Sequence, residues 1–219
     1  MDKLRISYTQ TGRAIWISHL DMMRMLQRAM NRANVPIRYS EGFNPHAQIS
    51  ILLPLSVGTE SYCQLADIRV RRDVDIASLP AQLTAVMPEG IVVTGCWEEG
   101  EKAAALQTLE AQCRWEYSDP VGADRLAAIK ALFERKELIV QRKTKRGEGP
   151  FDLLPYVKVE DIRAEGSAVL LRVLLSAAEP VVKPELLSKA VQENAPELAP
   201  ASVRCTRLKL LNKEGKLFR

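Results

Sequence analysis

Histidine is scarce in this 219-residue chain, with His19 and His46 the only two. Imidazole acid–base chemistry would have to use that one pair. Four cysteines, Cys63, Cys96, Cys113 and Cys205, stand far apart, with no C-x-x-C and no histidine at zinc-like spacing. That spacing argues against a zinc or iron–sulfur site, so no metal and no cofactor is expected, and the thiols are read as buried and free. Aromatic residues make up 5% of the chain, and the alternating run QLADIRVRR has none. A sheet that stacks bases as an RNA-recognition motif does needs aromatics there, so nucleic-acid contact would rest on phosphates and shape. No run of about 18 apolar residues appears, and MDKLRISYTQ lacks the apolar core of a signal peptide. No membrane association and a cytoplasmic location are therefore expected.

Hydrophobic residues, at 47%, are sufficient for a sizeable core and exclude disorder as the main state. The net charge of +4 permits an anionic partner without demanding one. Residues 1 to 100 carry ten basic and ten acidic side chains, so the excess lies in the remainder, where 21 basic residues face 17 acidic ones.

Periodicity divides the chain into two halves with one rhythm. LRISYT and AIWIS read as extended runs around Gly12, and a helix follows from Ser18, whose partner Asp21 suggests a capping box. Leu20, Met23, Leu26, Met30 and Ala33 form its apolar stripe, and Pro36 closes it. ISILLPL and QLADIRVRR read as paired strands, Asp75 or Ser78 as the cap of a short helix carrying Leu79, Leu83 and Val86, and IVVTGCW as a fourth strand. Residues 98–107 read as a linker or short helix. Then come LEAQCRWEYS (strand), a helix capped at Asp119-Pro120, the strands ELIVQRK, YVKVEDIRAE and AVLLRVLLSA, a helix opened by Pro184, and the strand ASVRCTRLKLL. The expected fold is α+β, two tandem ferredoxin-like βαββαβ units with antiparallel sheets, at 1–100 and 101–219. The repeat is one of order, since identity between the halves is negligible.

Three stretches carry possible chemistry. Arg24, Arg28 and Arg32 recur every four residues on the first helix, which sets three guanidinium forks in a column able to meet successive phosphates. Arg142, Lys143, Lys145 and Arg146 precede Gly147 and Gly149 in what reads as a mobile basic loop, suited to following a nucleic-acid backbone. The loop Tyr39, Ser40, Gly42, Phe43, Asn44, Pro45 and His46 holds one of the two histidines. If it folded over the start of the first helix, His19 and His46 could act as acid and base on a phosphodiester. Each stretch has a plainer reading: a solvated helix face, a hairpin tip and a bent connection.

The blocks S-H-L-D (Ser18 to Asp21) and Y-S-x-G-F-N-P-H (Tyr39 to His46), with RKTKRGEGPFDLLPYV, resemble a bacterial radical-SAM-associated family of unknown function over nearly the whole chain. Ala47 departs from that pattern, where the family tends to have a second proline. The resemblance implies a radical SAM protein as partner and a link to RNA metabolism. The chain has no C-x-x-x-C-x-x-C, so the cluster would belong to the partner. The preferred functional reading is a non-catalytic RNA-binding or substrate-presenting accessory for tRNA or rRNA. The alternatives are an RNA-processing enzyme using His19 and His46, and an interaction domain that never touches RNA.

Overall fold

The structure, a computed structural model, describes residues 2–98, 100–144 and 147–219. The chain divides into two compact units, Met1–Ala105 with Leu217–Arg219, and Leu106–Lys216.

In the first unit, KLRISYTQ forms β1 (Lys3–Gln10), whose alternation sends Leu4, Ile6 and Tyr8 into the core. AIWIS, expected to be extended, is instead largely a 3₁₀ turn, Gly12–Trp16. Gly12 has a positive φ of 56° there, and the tight bonds Ala14 N–H to Thr11 O and Ile17 N–H to Ala14 O, both 3.1 Å, follow it. Helix α1 (His19–Arg32) starts where the capping pattern predicts. Ser18 Oγ accepts from the Asp21 N–H at 3.2 Å and donates to Asp21 Oδ2 at 2.7 Å. Its buried stripe is Met22, Leu26, Ala29 and Met30; Leu26 and Met30 are shared with the expected stripe, while Met23 and Ala33 are only partly buried at its margin. Leu20 is therefore left 66% exposed, because adjacent Met22 and Met23 satisfy the helical period equally well in sequence and only the packing chooses between them.

Strands β2 (Ile49–Leu52) and β3 (Glu60–Arg69), helix α2 (Leu79–Val86) and strand β4 (Ile91–Trp97) complete the unit. Its strands lie in the order β4-β1-β3-β2, every pairing antiparallel. Both helices bury their apolar residues in the cluster that holds the β1 and β3 core residues.

The opposite side of β1 carries a buried charge. Arg5 has no exposed surface and faces Asp67 directly across the β1–β3 ladder. Its guanidinium donates to Asp67 through Nε at 2.6 Å and Nη2 at 3.0 Å, and to the Glu101 carbonyl at 2.8 Å. The Phe218 ring lies 5.1 Å away. Gly100 passes so close that a Cβ there would overlap the Arg5 guanidinium. Residues 100–101, expected to be linker, thus form one wall of this site.

The second unit comprises β5 (Leu106–Glu116), α3 (Ala123–Phe133), β6 (Ile139–Thr144), β7 (Gly147–Asp152), β8 (Val157–Glu165), β9 (Ala168–Ser176), α4 (Glu185–Asn194) and β10 (Ser202–Asn212). Its main sheet runs β10-β5-β9-β8, all antiparallel, while among the described residues β6 and β7 pair only with each other. The expected glycine loop is therefore in large part a strand. Gly149 and Pro150 argue against such a strand in sequence, and a two-stranded ribbon with two edges tolerates them. The hairpin is tied to α4: Asn194 Nδ2 donates to the Ile139 carbonyl at 2.7 Å, and Glu193 Oε2 accepts from the Gln141 N–H at 2.7 Å. Helix α3 begins after Gly122 rather than at Asp119-Pro120. Cys113 and Cys205 are buried directly opposite one another on β5 and β10, whereas Cys63 and Cys96 are only partly buried. Among the described residues, no helix is long and apolar enough to cross a membrane.

Burial opposes the charge on Asp67, but the hydrogen bonds from Arg5 and Lys3 outweigh it and hold its carboxyl below the ordinary value of 3.8. A carboxylate with a lowered pKa stabilises the fold above its unfolded value, and that contribution is lost as pH falls through the folded value. Acid titration followed by circular dichroism should therefore show wild type losing stability below about pH 4 more steeply than Asp67→Asn. At neutral pH, Asp67→Ala leaves the buried Arg5 unpaired and should cost about 3 kcal/mol in urea denaturation.

Candidate functional site

The four-residue spacing of Arg24, Arg28 and Arg32 on α1 translates into a shared groove. All three line a depression of about 420 Å³ with Met25, Met87 and Pro88, between α1 and the end of α2. Asp21 closes one end and pairs with Arg24 at 3.1 Å. Its carboxyl is held below the usual range first by the Ser18 hydroxyl and then by Arg24. Arg28 and Arg32 have no ion-pair partner among the described residues, so two guanidinium forks remain for an incoming anion.

A second basic groove, of about 920 Å³, lies on the same unit and is lined by Arg38, Arg69 and Arg71 with Tyr39, Ser40 and Glu41. The backbone builds it. Arg38 N–H donates to the Arg69 carbonyl at 2.8 Å, Arg69 N–H to Gln48 at 3.0 Å and Gln48 N–H to Arg38 at 2.9 Å, which locks residues 38 and 48 beside the end of β3. Strand alternation then gives Arg69 and Arg71 the same side. The Asp2 carboxylate spans two of these cations, 2.9 Å from Arg38 Nη2 and 3.0 Å from Arg69 Nη1. Arg71 has no ion-pair partner among the described residues. Arg69 and Arg71 escape sequence reasoning because IRVRR reads simply as the solvent side of a strand. The alternation of arginine with apolar residues at the strand's end is the signal that marks them.

The loop that begins at Tyr39 forms the rim of this groove, and it is clasped. An isolated bridge joins Tyr39 to Ala47. Ser40 N–H donates to the His46 carbonyl at 2.9 Å, His46 N–H to Ser40 Oγ at 3.0 Å, and Ser40 Oγ shares a hydrogen bond with His46 Nδ1 at 2.8 Å. Gly42 takes φ 118°, a region that side chains avoid. Phe43 follows at the tip, fully exposed, next to Asn44 and Pro45. Tyr39 is half-buried and its hydroxyl accepts from Gln27 Nε2 at 3.4 Å. One imidazole nitrogen of His46 thus serves the loop's own closure. His19 is exposed at the first position of α1, and no hydrogen bond joins the two histidines among the described residues.

In the second unit, Arg142 is committed internally. Its Nη2 donates to the Val181 carbonyl at 2.8 Å, and its guanidinium lies 4.7 Å over the Phe151 ring. Lys143 is exposed on β6, and Lys145 and Arg146 lie outside the described residues. No group of three or more His, Cys, Asp or Glu able to hold a metal occurs among the described residues.

A family model described as an uncharacterized protein conserved in bacteria, DUF2344, matches residues 3–184. No curated protein matches the chain. Among solved structures it is similar to a chain in the crystal structure of a Cbf5-Nop10-Gar1 complex, at 14% identity and a TM-score of 0.49, covering 94% of this chain and 48% of that one. A chain in the structure of an H/ACA RNP bound to a substrate RNA containing 2'-deoxyuridine is similar at 14% identity and a TM-score of 0.48, covering 94% of this chain and 47% of that one. The protein thus spans about half the length of the solved chains it matches.

Ser40→Ala removes both side-chain bonds of the clasp. The expected result is faster hydrogen exchange at the His46 amide, by roughly fivefold for about 1 kcal/mol of lost local stability, with little change in global unfolding.

Proposed function

This chain belongs to the bacterial DUF2344 family, and we propose that it serves as a non-catalytic RNA-binding accessory that presents tRNA or rRNA to a radical SAM enzyme in the cytoplasm. The observation that carries the RNA-binding reading is the groove of Arg24, Arg28 and Arg32, in which the last two forks have no acidic partner among the described residues. Unpaired guanidinium groups at successive helical turns suit a chain of phosphates better than a single small anion. The radical SAM partner is supported by the S-H-L-D and Y-S-x-G-F-N-P-H blocks, and the hairpin cation Lys143 would add a further phosphate contact. Two tandem ferredoxin-like domains, one in each compact unit, are the architecture we infer, supported by the equivalent strand orders β4-β1-β3-β2 and β10-β5-β9-β8. In this reading His19 and His46 perform no chemical step.

The interaction-domain reading has one observation in its favour: Trp16 and Leu20, 69% and 66% exposed, flank the start of α1. Capture of the radical SAM protein by the tagged chain, with and without RNase, separates the two readings. Loss of capture on RNase treatment favours RNA bridging, and unchanged capture favours direct docking.

Filter binding of bulk tRNA and rRNA fragments across a salt series tests the main proposal. Affinity should fall steeply with salt, and Arg28→Gln combined with Arg32→Gln should reduce the slope of log K against log salt by about 1.5 to 2. Absence of RNA retention at low salt overturns it.

A further inference from the structure

The second groove raises a question that the first does not, because one of its anions is already present. Asp2 places a carboxylate between Arg38 and Arg69, with one oxygen on each guanidinium, at 2.9 and 3.0 Å. Two oxygens on one centre, shared between two forks, is also the arrangement that a phosphodiester offers. The pair partners are about half exposed, and exposed ion pairs of this kind contribute little in water, so the carboxylate is readily exchanged. Exchange of one singly charged group for another leaves the groove's charge balance unchanged. Glu41, which also lines the groove, disfavours a doubly charged phosphate monoester by repulsion. The geometry therefore suits an internal phosphodiester more than a terminal phosphate.

Beside these arginines stands an unexplained apolar group. Phe43 is fully exposed, two residues from Glu41 and two from Pro45, both of which line the groove. An isolated solvated phenyl ring is ordinary on a floppy loop. This loop is closed at its base by the Tyr39–Ala47 bridge and by the three hydrogen bonds between Ser40 and His46. Gly42, at φ 118°, makes the turn immediately before the exposed ring. A ring carried on a braced loop costs little backbone freedom on binding, which favours it as a stacking platform.

We propose that this groove is a single-nucleotide subsite for unpaired RNA, in which a phosphodiester replaces the Asp2 carboxylate between Arg38 and Arg69, Arg71 takes a neighbouring phosphate, and the base stacks on Phe43. The inference rests on the RNA-binding function proposed above and adds its substrate class: single-stranded RNA rather than duplex. Base identity matters little, since every base has a face to stack and no hydrogen-bond readout is invoked. Asp2 acts as an internal competitor that sets the affinity.

Fluorescence anisotropy of the full chain with a labelled oligouridylate of about ten nucleotides and with a blunt-ended, loop-free RNA duplex tests this. Phe43→Ala should weaken oligouridylate binding about tenfold, Phe43→Trp should restore it, and duplex binding should be unaffected. Arg71→Gln should weaken oligouridylate binding and lower its salt slope by about 0.7. Asp2→Asn should strengthen it several-fold by removing the competing carboxylate. Equal oligouridylate binding by wild type and Phe43→Ala overturns the subsite and assigns the tip to a protein contact. If the Arg28 and Arg32 substitutions abolish binding of both RNAs while Phe43→Ala changes nothing, only this inference fails. If neither RNA binds the wild-type chain at low salt, both it and the function above fail.

Discussion

The first unit is organised around one buried guanidinium. Arg5 and Asp67 stand opposite each other near the Lys3–Arg69 end of the β1–β3 pairing, and a charge without exposed surface tolerates only a register that delivers its partner. A slip by one residue would turn Asp67 to the other face and leave Arg5 unpaired among apolar groups. The same register sets Lys3 against Arg69 and carries the chain on to Arg71. The basic groove at the end of β3 is thus a consequence of the pairing two residues before it. Phe218 and Glu101 close over the guanidinium, so the last residues of the chain also take their place from it.

Charge in this protein is informative only after the paired groups are set aside. By count the first hundred residues are neutral and the remainder carries the excess. The second unit, however, uses many of its cations internally. Arg172 and Lys209 neutralise the buried Glu110, Arg114 joins Glu116 and Glu165, and Arg142 serves Val181 and Phe151. In the first unit Asp67 is occupied by Arg5 and Lys3, and Asp21 by Arg24 and Ser18. Arg28, Arg32 and Arg71 are left over, lining grooves. The half that looks electrically balanced therefore exposes the better anion sites among the described residues.

Both grooves depend on helices and strands ending at the right place. The α1 groove needs the Ser18 cap, because a start shifted by two residues would rotate the arginine column away from Met87 and Pro88. The β3 groove needs the clasp between Ser40 and His46, which turns a stretch rich in Gly, Asn and Pro into a fixed rim. A rare histidine spends one ring nitrogen on shape here, and the exposed aromatic three residues past the serine becomes the group of chemical interest.

The sequence by itself determined what is local. The capped helix at Ser18, the four-residue recurrence of its arginines, the alternation of β1 and the turn chemistry around Gly42 all follow from spacing and residue type, since each involves neighbours within one or two turns. It could not choose between Met22 and Met23 for the buried stripe, nor reveal that GEGPFD pairs as a strand or that AIWIS coils into a 3₁₀ turn. Those outcomes depend on what lies across the space. Tertiary structure alone decided that Asp2, Arg38, Arg69 and Arg71 share a groove, and that Arg142 is consumed internally. Such groups are tens of residues apart in the chain, and only strand register and backbone closure bring their charges within reach of one another.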